Sequence, residues 1–60
     1  MKILRINDIV EIFGISRATV YRLASEPDFP RKIRLGARAV GYEESEIEHF
    51  FRERQEKRAA

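Results

Sequence analysis

The chain has 60 residues, 43% of them apolar and 37% charged, with no cysteine and a formal net charge of +2. A chain this short buries only about 60% of the surface its unfolded form exposes, so the core is thin and leaves little room for an internal ligand pocket. Without cysteine there is neither a disulfide framework nor a cysteine-based zinc site. No apolar run approaches a membrane span, and residues 1–13 hold no long apolar stretch ending in a small-residue cleavage site. The expectation is one soluble domain over residues 1–60, in the cytoplasm, with no membrane partner.

The segment KILRI (residues 2–6) is β-prone and predicts a brief strand or extended lead-in. Asn7 is then expected to cap a first helix whose apolar stripe is Ile9, Val10, Ile12 and Phe13, with Asp8 at the positive helix end. Gly14 follows the last periodic residue, where a left-handed residue commonly ends a helix. Ser16 opens a second helix almost at once. Val20, Leu23 and Ala24 fall on one side of it and Ala18, Arg22 and Ser25 on the other, with Thr19 and Tyr21 on the flanks. Arg17 projects toward the apolar side, but in the first turn a long side chain can swing clear. Pro27 biases Glu26 away from helical geometry, so this helix ends near Ser25.

The next stretch, EPDFP, reads as a turn around a buried Phe29. KIRL then predicts a strand with Ile33 and Leu35 on one face and Lys32 and Arg34 on the other. Gly36, Ala37 and Arg38 form a short turn, and AVGY returns as a second strand. Such a two-stranded hairpin is marginal alone and needs the helices beneath it. Residues 44 to about 57 form the longest helix, packing through Ile47, Phe50 and Phe51 behind an acidic first turn.

Charge is distributed unevenly along these elements. Residues 14–42 carry Arg17, Arg22, Arg31, Lys32, Arg34 and Arg38 against only Glu26 and Asp28. Residues 43–60 carry six glutamates against four basic side chains, and residues 1–13 balance. A polyanion would therefore meet the middle of the chain.

Two short helices joined by a glycine turn, over residues 7 to 26, form a helix-turn-helix. In that motif the first helix braces on the phosphate backbone and the N-terminal residues of the second reach base edges in the major groove. By position Arg17 and Ala18 point into the groove, with Arg17 suited to bidentate bonding to guanine. Ser16, Thr19, Tyr21 and Arg22 are placed for phosphates. The basic hairpin at residues 31–42 makes the motif a winged one, with Lys32, Arg34 and Arg38 flanking the groove. Each residue also has a plainer explanation. Ser16 caps a helix with or without DNA, Tyr21 suits half-buried core, and exposed arginines are commonly just solvated. Charges on a hairpin also blunt its edges, although four basic residues with no acid between Arg31 and Arg38 exceed that need.

Taken in order, GISRATVYRL, FP, IRLGARAVGY and ESEIEHFFRER resemble the AlpA-type prophage regulators, small relatives of the MerR-like winged helix-turn-helix proteins and of phage excisionases. The likeness runs from about Leu4 to Arg54. It implies a mainly α fold of three helices with a two-stranded wing, and sequence-specific binding of double-stranded DNA in transcriptional regulation of mobile elements, sometimes with excision control. The implied recognition helix begins at Ser16 and includes Arg17, Thr19, Tyr21 and Arg22; the implied wing includes Arg34, Gly36 and Arg38. Tyr42 stands where such proteins often carry tryptophan, Phe50 and Phe51 where a Trp-Leu pair is common, and Glu-Pro-Asp where the turn usually holds glycine.

Enzymatic chemistry is not expected, and nothing calls for a cofactor or metal. His49, the single histidine, falls on the polar side of the last helix, and the acids Glu43, Glu44, Glu46 and Glu48 suit a helix N-terminus. The competing readings are an excisionase-like architectural factor that recruits a recombinase, and a small protein-interaction module docking a recombinase, RNA polymerase or a second copy through the last helix. One small winged domain binds DNA modestly, so paired or repeated sites and homo-oligomeric occupancy on the nucleoid are expected.

Overall fold

The computed structural model describes residues 2–59, with side chains to Gln55. In chain order they form β1 (Ile3–Leu4), α1 (Ile6–Phe13), α2 (Arg17–Ala24), β2 (Ile33–Arg34), β3 (Val40–Glu43) and α3 (Glu44–Ala59). Three helices and a small antiparallel hairpin make a winged helix-turn-helix architecture.

The first helix starts one residue before the expected cap. Arg5, in extended geometry, is the N-cap, and its N–H donates to Asp8 Oδ2 at 2.9 Å. An arginine side chain has no acceptor to offer in return, so only this carboxylate half of a capping box forms. Asn7 therefore lies inside the first turn rather than capping it. The earlier start also corrects the apolar stripe. Ile6, Ile9, Val10 and Phe13 stand at the i, i+3, i+4, i+7 positions and pack inward, while Ile12 is 55% exposed. Gly14 ends the helix as expected, at φ 65° and ψ 34°, and its N–H donates to Val10 O at 3.0 Å.

The hairpin is not left as two strands. β3 lies in the centre of a three-stranded antiparallel sheet, with β1 on one side and β2 on the other. The register pairs Ile3 with Glu43 and Leu4 with Tyr42, then Ile33 with Gly41 and Arg34 with Val40. Paired residues share a face, so Leu4, Tyr42, Val40 and Arg34 point one way and Ile3, Gly41 and Ile33 the other. β2 is shorter than KIRL suggested. Leu35 has left the ladder and is 46% exposed, and its N–H closes the turn onto Ala39 O at 2.8 Å.

Gly41 is the point of closest approach in the sheet. A Cβ there would lie 2.3 Å from Ile3 Cγ2 and 3.3 Å from Leu4 O. Cγ2 sits on the branched carbon of a stiff side chain and cannot swing aside.

The core gathers Leu4, Ile9, Val20, Leu23, Phe29, Tyr42, Ile47 and Phe50, so every element except β2 contributes a buried side chain. Phe29 meets both Tyr42 and Phe50 edge-on, with ring centroids at 5.2 and 4.9 Å. Phe51 is only half-buried and stacks on Phe13 at 4.4 Å. Arg54 lies over the Phe50 ring, 4.7 Å from its centre, and bonds Glu26 Oε1, with Asp28 Oδ1 at 3.8 Å. The last helix is thereby tied to the turn that follows α2.

β3 passes into α3 with no loop between them. Glu43 serves the helix start, accepting from the Ser45 N–H at 3.1 Å and from the Ser45 hydroxyl. The Ser45 hydroxyl bond, then the Ser45 N–H, hold the Glu43 carboxyl below its ordinary value. The helix runs to Ala59, slightly past the expected end. Lys57 and Arg58, part of the charge balance of that segment, have side chains outside the described set.

Two outcomes follow. Gly41→Ala should lower unfolding free energy by about 1–3 kcal/mol through overpacking, with a smaller loss when Ile3 is first cut to Ala; urea unfolding of the four proteins of this cycle measures it. Because the folded Glu43 carboxyl titrates below its unfolded value, its contribution is full above the unfolded value and is lost as pH falls through the folded one. Glu43→Gln should therefore melt lower than the parent at neutral pH, and the two curves should converge once acid has protonated the parent.

Candidate nucleic-acid interface

The turn Gly14-Ile15-Ser16 sets α2 against α1. Ser16 is extended, at φ −75° and ψ 158°, and its Oγ accepts the Thr19 N–H at 3.1 Å. Its hydroxyl also bonds the Thr19 hydroxyl at 2.9 Å, so both hydroxyls are engaged in the cap. The N–H groups of Arg17 and Ala18 have no acceptor within the helix. There is no acid in the first turn of α2, whereas Asp8 stands in that of α1. The N-terminal end of α2 is thus the helix start better suited to an anion.

Val20 and Leu23 are buried, and the outward side chains divide between the two flanks of α2. On one flank Arg17 and Tyr21 join Arg5, Ile6, Asn7 and Asp8 of the first helix and Arg38 and Val40 of the wing around a shallow concavity. Three arginines thus surround one hollow whose single acid, Asp8, is engaged with the Arg5 N–H. Tyr21 is 56% exposed, which excludes half-buried core as its explanation. Arg17 is exposed too, and its Nη2 donates to Asn7 Oδ1 across the helix pair. This is how a residue on the apolar side of α2 avoids the packing surface. Tyr42, behind Tyr21, has its hydroxyl pKa raised, mainly by burial and then by its neighbour Tyr21.

On the other flank Thr19 and Arg22 border a groove between α2 and α3, with Phe13, Ile15, Leu23, Phe50 and Phe51 below and Glu26, Asp28, Glu53 and Arg54 on the rim. Ala18 points outward between the flanks and is exposed. On the wing Lys32, Arg34, Gly36 and Arg38 are all exposed. Arg34 shares the sheet face that buries Tyr42, but stands beyond the edge of the core beside Val40. Gly36 has a negative φ and open space where a Cβ would sit, so a side chain there would be tolerated.

The residues singled out from the sequence thus divide: Arg17, Tyr21 and Arg38 share the hollow, Thr19 and Arg22 border the other groove, and Arg5 and Asn7 join the hollow unannounced. No local pattern marks them. They reach the hollow because the glycine turn folds α1 back along α2, a contact between residues ten positions apart. Elsewhere, His49 is solvent-exposed with Nε2 2.7 Å from Glu53 Oε1. Among the described residues no three histidine or carboxylate side chains gather in a metal-binding group, and no helix is long and apolar enough to cross a membrane.

Comparison with known proteins gives a consistent set of relatives. The family described as Prophage CP4-57 regulatory protein (AlpA) matches residues 2–55, from β1 through most of α3. The DNA-binding transcriptional activator AlpA of Escherichia coli (strain K12) is 32% identical over 60 aligned residues, covering 90% of this chain and 86% of that protein. The uncharacterized protein ORF88 of Enterobacteria phage P4 is 33% identical over 46 residues, which are 77% of this chain; the chain spans 52% of the length of that phage protein. No solved structure gives a significant match.

Ser16→Ala should lower stability by about 1 kcal/mol, the usual loss for a serine N-cap. Ser16→Asp should retain most of it; thermal melts of the three proteins separate the cap from any other role of the hydroxyl.

Proposed function

The chain belongs to the family of the Prophage CP4-57 regulatory protein (AlpA), and on that premise we propose that it is a sequence-specific DNA-binding transcriptional regulator acting in the cytoplasm on the nucleoid. The carrying observation is the joint hollow in which Arg17 and Tyr21 of α2 meet Arg38 of the wing and Arg5, the cap of α1. A major groove about 12 Å wide accepts one helix, whose two flanks then face opposite phosphate walls. α2 presents side chains suited to that arrangement. Arg17 and Ala18, at its N-terminal tip, would lie over base edges, with Arg17 bidentate to a guanine. Ser16, by capping the helix, would present the free amides of its end to one phosphate. Tyr21, Arg38 and Arg5 would grip the backbone along one wall, and Thr19 and Arg22 the other. Lys32 and Arg34 would follow the flanking groove, with Gly36 letting the wing tip approach closely.

Activator, repressor and excision factor share this set of contacts and differ in which protein stands beside the site. The groove between α2 and α3, apolar below and charged at its rim, is the surface on which a recombinase, RNA polymerase or a second copy at an adjacent site would be met. An isolated domain of this size has a small interface, so paired sites supply the rest of the affinity.

Selection of genomic fragments by the purified protein should return a discrete motif. Titration across salt concentrations should give a log–log slope of several units, about −0.9 for each phosphate neutralised. Arg17→Ala should cost about 1–3 kcal/mol of base discrimination at one position. Arg38→Ala should weaken all sequences alike and reduce the slope by about one, as should Arg22→Ala if both walls are held. A flat salt response without a selected motif would overturn the assignment.

A further inference from the structure

We infer that Asn7 is a positioning residue for base readout: it holds the Arg17 guanidinium in place before DNA arrives. The inference rests on the DNA-binding reading above and adds to it a residue on the first helix. Asn7 Oδ1 accepts from Arg17 Nη2 although neither side chain is buried. Arginine at a helix tip is long and mobile, and ordering it on binding opposes recognition. One bond to an acceptor carried by a packed neighbouring helix removes part of that mobility in advance. It uses a single Nη2 proton and leaves the remaining donors for the two acceptors of a guanine edge.

The chemistry of the acceptor fits this task. An amide oxygen orients a guanidinium without neutralising its charge, whereas a carboxylate would compete with the DNA for the same cation. The neighbouring carboxylate, Asp8, is engaged with the Arg5 backbone N–H instead. Of two adjacent polar residues in the first turn of α1, the neutral one faces the arginine and the charged one turns to the helix end.

Asn7 lies within the first turn and does not cap it, so its replacement leaves the fold in place and thermal melting should be nearly unchanged. Asn7→Ala should lower the ratio of specific to non-specific affinity about three- to tenfold, the equivalent of ordering one long side chain. Its salt slope should match the parent, since no charge is removed. In the Arg17→Ala background the same replacement should change nothing further. Asn7→Asp should instead weaken binding to all sequences and shorten the slope by about one. Relaxation of the ¹⁵N-labelled guanidinium in the free protein provides a readout that needs no DNA, and Asn7→Ala should loosen Arg17 there. Equal rigidity of Arg17 in the parent and in Asn7→Ala would overturn the bracing. So would an unchanged specificity ratio in a parent that selects a motif. A parent that selects no motif removes the DNA reading itself, and the guanidinium measurement then still decides whether Asn7 holds Arg17.

Discussion

Everything in this small domain hangs on Phe29. It lies in a turn with no regular structure of its own, yet its ring meets Tyr42 of β3 and Phe50 of α3 edge-on. Edge-to-face pairs contribute about 0.5–1.5 kcal/mol each beyond their burial, and they favour particular angles. The ring thus packs between the inner strand of the wing and the last helix, reinforcing the angle at their direct junction, while the chain on either side of it joins α2 to β2. The position of Arg38 relative to Arg17 depends in part on this packing. The convergence of helix and wing around one hollow is therefore a product of the core.

Most of this was legible in the sequence, because the signals concerned are local. Gly14, Ser16 and Pro27 mark three boundaries through backbone geometry and capping alone. Val20, Leu23, Phe29, Ile47 and Phe50 declare themselves as core by spacing or by the absence of any polar alternative. The unread parts are long-range or degenerate. Two residues of β1 pair with residues near the start of α3, and no periodicity over so short a strand announces a partner so distant in sequence. Asn7 is a good cap by residue type, yet the cap falls to Arg5, because the earlier start brings Ile6 onto one stripe with Ile9, Val10 and Phe13. With Ile6 in the stripe its centre moves away from Ile12, which is left to solvent.

The candidate site shows the same division. Residue types along GISRATVYRL marked a surface helix with an unusual tip, and the basic hairpin marked its neighbour. Sequence spacing could not say that Tyr21 shares a hollow with Arg38 while Arg22 borders a different groove, between α2 and α3. Those placements depend on how α1, α2 and the sheet cross, which is set by the buried faces. Charge was read correctly in bulk and incompletely in detail: Arg5, counted within a neutral segment, stands among the basic residues of the middle segment.

The uninterrupted passage from β3 into α3 has a mechanical consequence. The chain runs from α2 through its turn to β2, back along β3 and directly into α3, and Arg54 then reaches the turn where this path began. Strand, helix and turn are thereby tied into one closed path. On the proposed reading a body tied in this way adapts less readily than the duplex it meets, so much of the adjustment falls to the DNA. Base steps that kink or narrow readily would then be favoured even at positions that no side chain touches.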